Sequence, residues 1–247
     1  MKDLKSILKE LRLTEFLSQY EDVVKVAEKE NKSYEDFLLM LAHEELKTRE
    51  NNRIKRTLAD SKIPVSKEIE NFEFKNRKGV TVQEIKRLAE GHFIKSAGNI
   101  VFYGGTGVGK THLAIALVKK LCEKGFKCLY TRTDRLIEQL IAAKRDYTLG
   151  SVWKKFDKYD LIACDELGFL SQTQEGSDLF FQFISERYER KSLMITTNLA
   201  YTEWGQVFLN PITTAAAVDR IIHNCETFTI TGDSHRVTAA LKKNLEK

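Results

Sequence analysis

Cysteine is scarce in this chain of 247 residues: Cys122, Cys128, Cys164 and Cys225 are its four, far apart and with no C-x-x-C pair. That spacing excludes a zinc-finger ligand pattern, and a disulfide framework belongs to much smaller, cysteine-dense chains. Three of the four sit inside apolar runs, where a reduced thiol packs as a small hydrophobe. Proline occurs only at Pro64 and Pro211, and no glycine precedes Gly79, so the first third of the chain holds almost nothing that interrupts a helix. No stretch approaches the roughly 18 apolar residues of a membrane-spanning helix. Met1 to Leu13 mixes lysines and acids with leucines instead of forming a leader's apolar core. A cytoplasmic protein without a membrane partner is expected.

Disorder is excluded as well, since 42% of the residues are hydrophobic and 30% charged. Such a chain can bury one substantial core and a small second unit. An excess of five positive charges, with a pI near 8.9, makes an anionic partner plausible and is weak evidence by itself.

Organisation changes near Pro64. Before it, apolar residues recur at helical spacing, as in Leu4, Ile7, Leu8 and Leu11 and again in Phe37, Leu38 and Leu41. An all-helical domain of two to four helices is expected over residues 1–64, followed by an α/β domain over 65–247. Arg49, Arg53 and Arg56 fall at i, i+4 and i+7 and so share one helical face, which can be a solvated face, a DNA contact or a contact with a neighbouring subunit.

After a connector from Pro64 to Gly79, strand-like and helix-like segments alternate. The expected strands are Ile100 to Tyr103, Cys128 to Thr131, Leu161 to Asp165, Leu193 to Thr197 and Thr227 to Ile230, and their mostly continuous apolar character suits a parallel sheet covered on both faces. The expected helices are clearest over Lys110 to Glu123, Asp134 to Lys144 and Glu175 to Arg190. This pattern predicts a three-layer αβα sandwich with its ligand site at the carboxyl ends of the strands.

Between the first strand and the first of these helices lies Gly104-Gly105-Thr106-Gly107-Val108-Gly109-Lys110-Thr111, which fits G-x-x-x-x-G-K-[ST] at every fixed position. Glycines let the backbone curl around an anion and aim N–H groups at it, Lys110 adds a point charge, and Thr111 offers a hydroxyl to a metal ion. The helix behind the loop presents the positive end of its dipole. A nucleotide phosphate is the expected ligand, gripped by the loop together with His112 just beyond it.

The second motif is Leu161-Ile162-Ala163-Cys164-Asp165-Glu166, an apolar strand that delivers two carboxylates to the same sheet edge. There Asp165 can hold a hydrated magnesium ion and Glu166 can polarise a water for attack on a γ-phosphate. Asn198, after the run Leu193 to Thr197, can hold that water, or act as a turn or cap residue. Arg220 lies in an amphipathic segment before the last strand, where an exposed arginine paired to an acid is the default reading.

Gly-Lys-Thr-His-Leu-Ala at 109–114, Cys-Asp-Glu at 164–166, Thr-Thr-Asn at 196–198 and Val-Asp-Arg at 218–220 resemble the DnaA/DnaC branch of the AAA+ ATPases. Tyr34-Glu35-Asp36-Phe37-Leu38, the acids and arginines from Glu45 to Arg56, Leu58-Ala59, Ile63-Pro64 and Asn71-Phe72-Glu73-Phe74 look like the IstB-type transposition helpers, across nearly the whole chain. The resemblance implies an AAA+ P-loop ATPase core with a truncated lid, since only 17 residues follow Ile230. It implies ATP and magnesium as cofactors, Lys110, Thr111, Asp165 and Glu166 as the hydrolytic set, and Asn198 as sensor 1. Arg220 would be an arginine finger reaching into the next subunit of a homo-oligomer, and Arg236 a sensor 2 arginine.

Members of this branch carry an extra helical insertion after the second strand that lines the nucleic-acid path. Here that stretch, Lys127 to Lys158, holds eight basic and four acidic residues. Lys144 and Arg145, then Arg132 and Arg135, are its candidates for phosphate contacts on double-stranded DNA, read without sequence preference. The implied role is an ATP-driven protein that assembles on target DNA and assists a cognate transposase. A helicase loader of the DnaC type and a nucleotide-gated DNA scaffold with little hydrolysis are the two rivals.

Overall fold

The computed structural model describes residues 3–168 and 173–235. Packing divides the chain into two units between Arg56 and Thr57. That division precedes the boundary expected at Pro64, because Leu58 and Ile63 pack on the α/β core and the Ser61 carbonyl accepts a hydrogen bond from the Tyr130 amide at 2.7 Å.

The first unit holds helices α1 (Leu4–Glu10), α2 (Thr14–Lys29) and most of α3 (Tyr34–Asp60). Asp3 caps α1 by accepting from the Ser6 amide at 2.9 Å, and Leu8 on α1 and Leu41 on α3 are the buried apolar side chains among the unit's described residues. Glu45, 4% exposed, accepts from the Glu15 amide at 2.8 Å and from Arg49 Nε at 2.7 Å. Burial opposes charge on this carboxyl, yet the Arg49 guanidinium and the Glu15 amide outweigh it and hold its pKa below the ordinary value.

The second unit runs α4 (Val82–Ala89), α5 (His92–Lys95), β1 (Asn99–Gly104), α6 (Lys110–Glu123), β2 (Cys128–Arg132), α7 (Thr133–Arg145), α8 (Leu149–Phe156), β3 (Leu161–Leu167), α9 (Gln174–Arg187), β4 (Ser192–Thr197), α10 (Gly205–Phe208), α11 (Pro211–Ile222) and β5 (Cys225–Ile230). Helix α9 stops at Arg187, short of the expected Arg190, because Tyr188 leaves the helical conformation (ψ 126°) and begins a turn. The five strands form one parallel sheet in the order β2-β3-β4-β1-β5.

Strand alternation splits the apolar runs between two cores. Ile100, Phe102, Tyr130, Ala163 and Met194 face α4 and α6, while Val101, Leu129, Ile162, Cys164 and Ile195 face the side of α7, α9, α10 and α11. Both faces are covered over β1, β3 and β4, which is why those strands read as continuous apolar segments, whereas the edge strand β5 alternates, with Thr227 and Thr229 exposed and Phe228 and Ile230 buried. Residues 64–79, expected as a mere connector, contribute Ile69 and Phe72 to the first core and pair Lys78 with Thr231 in an antiparallel bridge.

At the end of the sheet away from the phosphate loop, Arg187 is 3% exposed and donates to the carbonyls of Phe156, Tyr159 and Ser192 at 3.1, 3.1 and 2.9 Å. Burial pushes its pKa down to about 10, and those carbonyls let a charged group sit in the interior. All four cysteines are free thiols, three of them buried. Among the described residues no helix is long and apolar enough to cross a membrane.

Candidate active site

The loop from Gly104 to Thr111 joins β1 to α6, so α6 begins with Lys110 and Thr111 at its positive end. Gly107 and Gly109 take φ of 82° and 101°, a region that disfavours side chains. A Cβ on Gly109 would lie 2.4 Å from the Phe72 ring, so close packing imposes glycine there as firmly as the turn does. Behind the loop, Val108 is buried and its carbonyl accepts from Arg77 Nε at 3.0 Å. His112 places Nε2 2.8 Å from the Glu68 carbonyl and its ring edge-on to Phe72, so this residue ties the loop's helix to the segment before β1.

Lys110 Nζ donates to the Gly104 and Gly105 carbonyls, both at 2.7 Å, and so arches back over its own loop. Thr111 Oγ1 lies 3.0 and 3.1 Å from the two carboxylate oxygens of Asp165. This joins the two motifs, 54 residues apart in sequence, at one point. Asp165 is 2% exposed and also accepts from Thr196 Oγ1 at 2.5 Å and from the Tyr130 hydroxyl at 2.6 Å. Burial, followed by the bond to Asp165, drives the Tyr130 phenol far above its ordinary pKa, so it stays a neutral donor.

Simple alternation would send Asp165 and Glu166 to opposite faces of β3. The strand avoids this by a bulge, with Cys164 opposite Ile195 and Leu167 opposite Thr197, so that three residues on β3 advance against two on β4. Glu166 sits in the bulge at φ 60°, a left-handed conformation that costs energy for a residue with a side chain. Its amide donates to Thr196 Oγ1 at 2.9 Å, and its side chain reaches the cleft. Thr196 thereby holds both acids.

The cleft has a volume of about 390 Å³ and is lined on one side by Gly107, Lys110, Thr111 and His112 and on the other by Glu166, Thr196 and Asn198. Asn198 Oδ1 is shielded from solvent and has no hydrogen-bond partner, an acceptor that a bound water or ligand can satisfy. His235 reaches the same cleft, its amide donating to the Gly107 carbonyl at 3.1 Å. Arg236, and the stretch expected to form a truncated lid, lie outside the described residues.

The five remaining arginines and lysines expected to act do not line the cleft, although one of them, Arg132, pairs with Glu166 there. Arg220 is on α11, a helix that starts at Pro211 under the Asn210 cap, whose Oδ1 accepts from Ile212 and Thr213 amides at 2.9 and 3.2 Å. Its guanidinium carbon is 4.7 Å from the centre of the Phe181 ring, and Nη1 is shielded without a hydrogen-bond partner. That is unlike the acid-paired arginine of the default reading, and it leaves a cation available to an anion. Arg132, at the end of β2, pairs with Asp134 at 2.9 Å and with Glu166 Oε2 at 3.1 Å. It can serve a DNA phosphate only by leaving these acids. Arg135, Lys144 and Arg145 are exposed on α7, paired at 3.6, 3.0 and 3.0 Å to Glu138, Glu175 and Asp146. Exposed pairs of this kind contribute little and exchange readily for other anions.

Sequence reasoning missed Tyr130 and Thr196. Each is a hydroxyl in a buried part of its strand, a signal meaningful only once β2, β3 and β4 are known to be neighbours. Among the described residues no cluster of three or more acids, histidines or cysteines could cage a metal. One carboxylate beside one hydroxyl is instead the donor set that suits a magnesium ion whose other ligands are phosphates and waters. The residues present fit such an ion.

The profile of the family described as IstB-like ATP binding protein matches residues 6–243. A Sinorhizobium fredii protein named as an insertion-sequence ATP-binding protein is 35% identical over 96% of this chain and 80% of its own length. The corresponding protein of insertion sequence IS232 from Bacillus thuringiensis is 33% identical over 93% of this chain and 92% of its own. Among solved structures, the DnaC helicase loader superposes with a TM-score of 0.54 at 23% identity, over 61% of this chain and 88% of that one. AMPPCP-bound DnaA from Aquifex aeolicus gives 0.57 at 20% identity, over 75% and 56%. These structural likenesses establish the fold.

Proposed function

Because this chain belongs to the IstB-like ATP-binding protein family, with an AAA+ fold of the DnaA/DnaC kind, we propose that it hydrolyses ATP and assists a transposase from an assembly on duplex DNA. The observation that carries the reading is the convergence of Lys110, Thr111, Asp165 and Glu166 on one cleft behind a glycine loop. A nucleotide-gated scaffold would need the loop alone, whereas here a carboxylate with strained backbone, Glu166, lines the same cleft as the loop.

In this reading the loop amides and Lys110 bind phosphate oxygens, and Thr111 and Asp165 hold the magnesium ion. Bound magnesium supplies charge neutralisation on the phosphates. Glu166 accepts a proton from the attacking water, whose position is fixed by the unpartnered Oδ1 of Asn198. Arg220, already desolvated at Nη1, is suited to pair with a γ-phosphate across a subunit boundary, where the charge of the transition state grows. The exposed cations of α7, Arg135, Lys144 and Arg145, together with Arg132, form the DNA-facing set, and contacts to phosphate alone make binding insensitive to sequence.

The test is assembly. Wild-type protein with ATP and duplex DNA should sediment as large complexes, and Arg220→Ala should stay dispersed or lose roughly 10³-fold in turnover. Mixing Arg220→Ala with Lys110→Ala should restore part of the ATPase activity, since one subunit then lends an intact finger to the other's intact loop. Co-assembled mixtures with only summed activities would remove Arg220 from this role. Retention of a replicative helicase instead of a transposase in a pull-down would favour the loader reading.

A further inference from the structure

Strand β2 is an edge of the sheet, and on its outer side the Tyr130 amide donates to the Ser61 carbonyl at 2.7 Å. The side chain of Tyr130 faces the α6 side, 8% exposed, beside Ala163 on β3. Alanine at that neighbouring position leaves room for the ring to extend towards the loop end of the sheet. The hydroxyl arrives 2.6 Å from Asp165 Oδ2.

Around the Asp165 carboxylate the hydroxyls divide the work. Thr196 donates to Oδ1, and Thr111 lies close to both oxygens but has one proton to give. If Thr111 turns its oxygen lone pairs to a metal ion, Tyr130 and Thr196 are left to hold the carboxylate. Thr196 also accepts from the Glu166 amide, so its loss would disturb both acids. Tyr130 bears on Asp165 alone.

We propose that Tyr130 is a positioning residue for the divalent-cation site, its hydroxyl locking Asp165 in the orientation that receives the nucleotide-bound magnesium ion. The inference rests on the reading above that Asp165 holds that ion. The simpler alternative is a buried tyrosine that takes the nearest acceptor and serves stability only. Outer partners that orient a metal ligand typically change metal affinity by about 10-fold or more when removed, which a stability role does not.

Tyr130→Phe keeps the ring and deletes the hydroxyl. Binding of a fluorescent ATP analogue would be titrated with magnesium chloride, from a metal-free solution upwards, beside a thermal melt and with Asp165→Asn as companion. The expected result is unchanged metal-free affinity and a magnesium requirement raised about 10-fold for Tyr130→Phe. In the double variant, Tyr130→Phe should add nothing to the effect of Asp165→Asn, an outcome independent of any loss in melting temperature. An unaltered magnesium requirement in Tyr130→Phe, with a shift in Asp165→Asn, would overturn the role of Tyr130 and leave Asp165 in place. No shift in either variant would overturn both readings.

Discussion

In the helical unit, Leu8, Leu41 and Glu45 are the buried residues among those described, while Leu4, Leu11, Leu38 and Leu46 stay exposed. In the α/β unit, a five-stranded sheet has its central strands covered on both faces, and Phe102, Phe180, Phe183 and Trp204 have lost essentially all contact with solvent. One unit is held by a few side chains and by local pairs such as Arg49–Glu45 and Arg53–Glu50, the other by a continuous core. Local pairs each contribute a few tenths of a kcal/mol, whereas burying a large apolar side chain contributes about 1.5–3 kcal/mol. The difference places rigidity where the carboxylates must be positioned to fractions of an ångström. It leaves the helical unit at the weak end of local stability.

The largest expected effect breaks the comparison at its stronger side. Phe180→Ala should destabilise the α/β unit by about 3–5 kcal/mol in denaturant unfolding. Leu38→Ala in the helical unit, at a position 57% exposed, should change stability by no more than about 0.5 kcal/mol. Similar losses at the two sites would mean that the helical unit conceals a core of its own.

A second measurement asks which unit meets DNA. Replacing Lys144 and Arg145 by alanine should weaken binding to all duplex sequences alike and flatten the salt dependence by roughly 0.9 log unit per lost contact. An unchanged slope would move the DNA path to the Arg49, Arg53 and Arg56 face of the helical unit.

The smallest effect concerns acid. Because the folded pKa of Glu45 is depressed, its contribution is complete above the ordinary glutamate range and is lost as pH falls through the folded value. The helical signal of the first unit should therefore weaken below about pH 4.3 in wild type, and less steeply in Glu45→Gln. Identical acid profiles would remove Glu45 from that account.

The same contrast explains what was legible in the sequence. Largely apolar runs marked the central strands nearly to their ends, since a buried parallel strand leaves no ambiguity of face, the edge strand β5 was marked by its alternation instead, and the glycine loop with Asp165 and Glu166 stood out by residue type and spacing. The bulge that turns Glu166 towards the cleft was not legible, because it depends on the register of β3 against β4. Tyr130 and Thr196 escaped for a related reason: their partner is on a neighbouring strand, and strand order is not a local property. In the helical unit the periodicity revealed helices without revealing that so few of their apolar residues would be buried.

In the function we propose, the cleft hydrolyses ATP through Glu166. Glu166→Gln keeps the shape of the side chain and removes its capacity to take a proton. Nucleotide affinity, measured by equilibrium binding, should stay near the wild-type value, while steady-state turnover should fall by ~10² or more. Hydrolysis at the wild-type rate in Glu166→Gln would contradict the account.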